Sequence, residues 1–194
     1  PEIIFTSFCG SFQANNGDFT TNGVIRAIHG GGPNKGQDYF AVCGSTVWQE
    51  GDDPNISCNC SDGDLDSTAS IAVGDLNYDG VPEIVTITEP SGGLETARIY
   101  SNTGQIISDS IAVNFRGGNP APAIANVDQS GNAEIIVGRH VFSVADDLTF
   151  VDHWEGTLHD GTNGQGPASC VANIAGDERV KIIGGSTVHR FPVR

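Results

Sequence analysis

Residues 75–83 read Asp-Leu-Asn-Tyr-Asp-Gly-Val-Pro-Glu, which places side-chain oxygens at Asp75, Asn77, Asp79 and Glu83 around a glycine at the sharpest bend. Hard cations such as Ca²⁺ take about six to eight oxygen ligands in flexible geometry, and alternate-residue carboxylates closing on a turn supply them without nitrogen or sulfur. The plainer reading is an Asp-Gly hairpin turn, since Asn and Asp tolerate the backbone angles of tight turns. Four oxygen donors in register favour a calcium loop over that turn. The flanks, Ala-Ser-Ile-Ala-Val before and Ile-Val-Thr-Ile-Thr after, are strand-like, so the loop joins two strands.

The other group of residues with chemical potential is Asp152-His153-Trp154-Glu155, followed by His159-Asp160. Its spacing is not His-Glu-x-x-His, and no helical pattern brings His153 and His159 together, so zinc chemistry yields to an outer strand closed by Trp154 with its polar residues in water. His29, His140 and His189 lie dispersed in strand-like segments, with packing or surface roles. The sequence holds no Gly-x-Ser-x-Gly elbow and no phosphate loop. Gly30-Gly31-Gly32-Pro33 is a turn, without the strand-to-helix context of a dinucleotide site. Asp62-Gly-Asp64-Leu-Asp66 reads as a solvated acidic loop. With no nucleophile beside a base and no assembled carboxylate pair, the expectation is a protein without catalysis.

The composition narrows the setting. With 194 residues the chain can bury a real core, and no stretch approaches the roughly 18 consecutive apolar residues of a membrane span. Nine Lys and Arg against 24 Asp and Glu give a formal charge of −15, which argues against binding nucleic acid and for cations or basic surfaces as partners. Cys9, Cys43, Cys58, Cys60 and Cys170 show no paired Cys-x₂-Cys spacing, so disulfides are expected, with one thiol left over. Asn55-Ile-Ser57 and Asn59-Cys-Ser61 are glycosylation acceptors at Asn55 and Asn59. Together with a calcium loop these place the chain outside the cell, secreted or at its surface. It begins without a signal peptide, as a mature form or an internal segment does.

The elements that must position the loop emerge from internal similarity. SIAVGDLNYDGVPEIVTIT at 70–88, PAIANVDQSGNAEIIVGRHVF at 122–142 and ASCVANIAGDERVKIIGGSTVHRF at 168–191 share the order strand, acidic turn, strand. GVIRAIHGGGPNKGQDYFAVCGSTVW at 23–48 is a fainter copy, and Pro1-Glu2-Ile3-Ile4 matches Pro82-Glu83-Ile84-Val85, as if a further unit were entered at its second strand. Glu2, Phe40, Glu83, Glu134 and Lys181 mark a period of roughly 40–50 residues, the length of about four short strands. The first strands are small and apolar, the second bulky and aliphatic, as expected for inner strands and for strands sandwiched between neighbouring sheets. The expected fold is all-β, a β-propeller of about four to five blades, with a two-sheet β-sandwich as the alternative. Its units are approximately 1–19 (partial), 20–65, 66–117, 118–165 and 166–194 (partial).

On these residues the chain resembles the FG-GAP repeat family, the calcium-loop propeller repeats of integrin α subunits and of many secreted microbial proteins. The likeness is good over roughly residues 66–194 and poor over 1–60. The family's loop is Asp-x-(Asp/Asn)-x-(Asp/Asn)-Gly-x-x-Asp, matched by Asp75, Asn77, Asp79 and Gly80, with Glu83 in place of the last Asp. The resemblance implies Val81 as the remaining ligand, through its backbone carbonyl. It implies a weaker calcium site at Asn126, Asp128, Ser130 and Glu134, and none in the third unit, where the turn shortens and Lys181 replaces the closing acid.

With one strong loop, one degraded loop and no catalytic set, the expectation is an extracellular, calcium-stabilised module for binding, adhesion or assembly, including the subunit of an extracellular filament. Its partner would be a protein or glycan ligand, or a neighbouring copy met through exposed strand edges. The alternatives are a lectin-type propeller, with Tyr39, Trp48, Phe142 and Trp154 as stacking candidates, or the propeller of a polysaccharide-degrading enzyme.

Overall fold

Short runs rich in Val, Ile and Thr, broken every few residues by Gly, Asn and Asp, have the composition of strands and tight turns. The computed structural model describes residues 2–8, 23–43, 46–50, 65–66, 69–88, 93–115, 120–158, 166–176 and 179–192, and every regular element among them is a β-strand. The first sheet holds β1 (Glu2–Phe8), β2 (Gly23–His29), β3 (Asp38–Cys43) and β4 (Thr46–Gln49). The second holds β5 (Ala72–Gly74), β6 (Glu83–Ile87), β7 (Ala97–Tyr100) and β8 (Ile106–Asp109). The third holds β9 (Ala123–Ala125), β10 (Glu134–Val137), β11 (His140–Val144) and β12 (Phe150–Glu155). The fourth has β13 (Ser169–Ala172), β14 (Lys181–Gly184) and β15 (Thr187–His189). Each is an antiparallel meander in sequence order.

The sheets stack face to face in chain order. Ile25, Ala27, Phe40 and Val42 of the first sheet meet Leu65, Ile84 and Tyr100. On the other face of the second sheet, Val85, Ile87 and Ile99 pack on Ile135, Val137, Phe142 and Val144. Ile136 and Val141 then meet Ile182 of the fourth sheet. Consecutive side chains of a strand point to opposite faces, so Ile84 serves one interface and Val85 the next, and β6 and β10 are buried throughout. The first strands β5 and β9 are only half-buried and run side by side, with β9 also adjoining β13. Small residues make this approach possible. A Cβ on Gly74 would sit 3.3 Å from the Ile124 side chain, and one on Gly184 would sit 2.7 Å from the carbonyl carbon of Gly138.

Four sheets, rather than the two of a sandwich, are present among the described residues, and the all-β expectation holds. Three details differ from the sequence reading. β1 pairs along its whole length with β2, from Glu2 opposite His29 to Phe8 opposite Gly23, so residues on both sides of the 19/20 boundary form one sheet in which β1 is the first strand. Phe40, aligned in the sequence with Glu83, lies in a third strand rather than a second. Asp66, read as part of a solvated loop, is buried, because its neighbour Leu65 is an anchor of the core between the first two sheets and bridges Thr88.

Candidate metal centre

The oxygen loop leaves β5 at Gly74 and enters β6 at Glu83. Its conformation is set by side chains that bond its own backbone, as Asx residues do in turns. Asp75 accepts the N–H groups of Asp79 (3.0 Å) and Gly80 (2.8 Å), one on each carboxylate oxygen. Asp79 accepts the Val81 N–H at 2.7 Å, and Asn77 Oδ1 accepts the Asp79 N–H at 3.3 Å. Leu76 points inward as a fully buried plug, and Glu83 reaches back to accept its N–H at 2.9 Å. Tyr78 and Gly80 hold positive φ, 60° and 90°. Glycine adopts that region freely, whereas for tyrosine it is a strain the surrounding bonds must hold.

The second loop, between β9 and β10, repeats this shape with different chemistry. Val127 is the buried plug, Glu134 accepts its N–H at 2.8 Å, and Gln129 and Gly131 have positive φ at the positions of Tyr78 and Gly80. Asp128 accepts from the Ser130 N–H and hydroxyl, at 2.8 and 3.0 Å. Asn126 replaces Asp75 and donates where Asp75 accepts: its Nδ2 reaches the carbonyls of Ser130 (3.4 Å) and Gly131 (3.3 Å). That leaves its Oδ1 buried with no hydrogen-bond partner. In the third copy the plug is lost. Ile174 is exposed, Asn173 Oδ1 accepts the Gly176 N–H at 2.9 Å, and Lys181 at the position of the closing acid donates to the Arg179 carbonyl.

Burial strains the closing acids. Desolvation pushes the Glu83 carboxyl above its ordinary range, with Asp79 and Asp75 adding to the effect against the Leu76 hydrogen bond. The same cause raises Glu134 to about 7. The donor set is all oxygen, and a carboxylate oxygen that accepts one N–H keeps a second lone pair. These residues suit a hard cation in chemistry. In geometry they are not drawn tight, since among the described residues no three His, Cys, Asp or Glu side chains enclose a metal-sized space.

The first loop also ties two sheets together. Asn77 Nδ2 donates to the Asp146 carbonyl (3.0 Å) in the β11–β12 turn, and Ala133 donates its N–H to the Leu76 carbonyl at 2.8 Å.

The remaining candidates fall elsewhere. Cys170 is a free, exposed thiol on β13. The side chain of Cys43, together with Cys9, Cys58, Cys60, Asn55, Asn59 and His159, lies outside the described residues. Trp154, expected to close an outer strand, packs edge-on against Phe191 with centroids 5.3 Å apart. Sequence reasoning missed a contact between two histidines. His140 Nδ1 lies 3.1 Å from His153 Nε2, with the rings stacked 5.3 Å apart at 13°. Burial lowers His140 to about 4 and His153 below its ordinary value. The β11–β12 register, which sets His140 opposite Glu155 and Phe142 opposite His153, carries the signal, and it becomes readable once the turn at 145–149 is placed. Tyr39, Phe40, Gln49, Glu50 and Thr103 line a cleft of about 150 Å³ between the first two sheets.

No protein-family model matches the chain, and no curated protein matches its sequence. Its fold is similar to that in the crystal structure of the V. cholerae biofilm matrix protein Bap1, at a TM-score of 0.56 and 17% identity. That likeness covers 96% of this chain and 28% of the other. No helix among the described residues is long and apolar enough to cross a membrane.

Proposed function

We propose that the chain is an arc of an FG-GAP-type β-propeller, an extracellular, calcium-stabilised module that binds or assembles without catalysis. The observation that carries this reading is the duplicated loop: a buried plug, a reaching glutamate and a strained fourth residue recur in the second and third sheets. A turn that only reversed the chain would have no need of two oxygen-rich copies with one strained shape, whereas a cation gives that strain a purpose. In the first loop Asp75, Asn77, Asp79, the Val81 carbonyl and Glu83 would hold Ca²⁺. In the second, Asn126, Asp128, Ser130 and Glu134 would hold it more weakly, having fewer carboxylates. Bound calcium would neutralise acids that now repel one another and stiffen the turn that joins two sheets.

Sheets stacked through opposite faces, with first strands side by side, support the propeller. The likeness to a biofilm matrix protein supports an adhesive or structural role outside the cell. The test is a calcium titration followed by thermal melting and isothermal calorimetry. Saturable binding that raises the melting temperature is expected, and a melting curve indifferent to calcium and chelator would defeat the calcium reading.

Carbohydrate binding is the second reading, favoured by the cleft in which the Tyr39 ring lies beside a carboxylate, an amide and a hydroxyl. A glycan array with Tyr39→Ala as control separates it from the first.

A further inference from the structure

The turn between β11 and β12, residues 145–149, is held from three sides. It closes on itself through the Ala145 N–H to the Thr149 carbonyl and the Leu148 N–H to the Ala145 carbonyl, both at 2.9 Å, with Leu148 at a φ of 64°. Ser108 of β8 donates its hydroxyl to the Leu148 carbonyl at 2.5 Å. The other two ties come from the two oxygen loops and meet on one residue. Asn77 of the first loop donates Nδ2 to the Asp146 backbone carbonyl at 3.0 Å. Asn132 of the second donates Nδ2 to the Asp146 carboxylate at 3.1 Å and to the Val144 carbonyl at 3.2 Å. Both asparagines hold ligand positions. Asn77 would offer its Oδ1 to the first cation, and Asn132 follows Gly131 as Val81 follows Gly80, so its carbonyl has the sequence position of the first loop's backbone ligand. The backbone adds a direct link: Leu76, whose N–H Glu83 accepts, takes on its own carbonyl the N–H of Ala133, the neighbour of Glu134.

Resting on the calcium reading above, we propose that Asp146 couples the two loops, so that a cation in one raises the affinity of the other. A cation held by Asn77 Oδ1 fixes the plane of that amide, and with it the Nδ2 bond to the Asp146 carbonyl. The turn is short and internally closed, so a fixed Asp146 carbonyl also fixes the carboxylate that holds Asn132 in the second loop. Ordering of the turn, which both loops draw on, is then incurred once, and the second cation meets a loop already ordered. Asp146 is a positioning residue: its hydrogen bonds run to ligand residues, and it stands outside both ligand sets. The sign separates this coupling from plain electrostatics. Two bound dications repel, so Coulomb interaction through space would weaken the second site when the first is filled. Coupling between binding free energies is reciprocal, so one factor must act in both directions.

The test follows the Gly80 and Gly131 amide resonances of the 194-residue chain during a calcium titration, one reporter for each loop. With the first loop disabled by Asp75→Asn and Asp79→Asn together, the second loop's dissociation constant is expected to rise about fivefold or more. With the second loop disabled by Asp128→Asn and Glu134→Gln, the first loop's constant is expected to rise by the same factor. Asp146→Ala leaves every ligand in place, and is expected to weaken the second loop and shrink the coupling factor by about twofold or more. Asp146→Asn keeps an acceptor for Asn132, and is expected to lower both affinities through lost charge while preserving the factor. Loops that titrate independently overturn the coupling, as does a second loop that tightens when the first is disabled, which would mean bare repulsion. A factor unchanged in Asp146→Ala overturns it too, and so does calcium confined to one loop. Each of these outcomes leaves the calcium module standing. A chain in which neither amide responds to calcium removes both readings.

Discussion

Glu83, a residue only 3% exposed, reaches back seven residues to accept the Leu76 N–H on its carboxyl at 2.9 Å. One side chain thus closes the loop, satisfies a buried backbone donor and carries a charge into the sheet interface.

Glu83→Ala leaves that donor unpaired, at a cost of about 1–3 kcal/mol. Glu83→Gln keeps an acceptor for the N–H and is expected to cost less in the absence of calcium. Urea unfolding in chelator, with unchanged slope, measures both.

Calcium at a hundred times its dissociation constant is expected to stabilise the protein by about 2.7 kcal/mol, a rise of roughly 5–10 °C in melting temperature. Asp75→Asn and Asp79→Asn are expected to abolish the first loop's share of that gain. An unaltered calcium response in both variants would place any bound ion elsewhere.

At the second loop, the calcium gain is expected to depend on pH through Glu134. Its carboxyl titrates at about 7 in the fold against 4.5 when unperturbed, so the folded state holds the proton more tightly. The stability this provides is complete below pH 4.5 and is lost as pH rises through 7. A cation replaces the proton, so the rise in melting temperature on adding calcium is expected to be larger at pH 8 than at pH 5. Glu95 behaves alike without a loop around it: desolvation raises it to about 7, against a hydrogen bond from the Phe115 N–H at 3.3 Å. Glu95→Gln is expected to stabilise the protein at pH 8 by up to about 3 kcal/mol and to be nearly neutral at pH 4, with or without calcium.

His140 works in the opposite direction. Burial lowers it to about 4, so the unfolded chain takes up a proton below about 6.5 that the fold refuses, and stability falls as pH drops from 6.5 to 4. His140→Phe is expected to flatten that limb of the stability profile. In the parent, the His140 ring resonances should stay those of a neutral imidazole down to about pH 4.

Gly184→Ala tests the stacking itself. The added Cβ would meet the Gly138 backbone at 2.7 Å, with no flexible side chain there to yield. A loss of about 1–3 kcal/mol is expected, against a few tenths for Gly31→Ala, where a Cβ would meet open space.

The sequence by itself determined the strands, the turns between them and the repeat, because alternation, β-branched runs and Asp-Gly turns are local signals. It also marked residues 75–83 and 126–134 as equivalent loops, and their plugs, glutamates and backbone angles coincide. Tertiary structure decided what depends on distant partners. β1 joins β2 across residues 9–22, a pairing no local pattern encodes. Asp66 is buried because Leu65 belongs to a core made by two sheets, and His140 meets His153 because one hairpin register aligns them. The glutamates show the division within single residues. Spacing made Glu83 and Glu134 oxygen donors, but their burial, and hence their raised affinity for a proton, comes from the sheets packed over them. Desolvation is a property of the assembled stack.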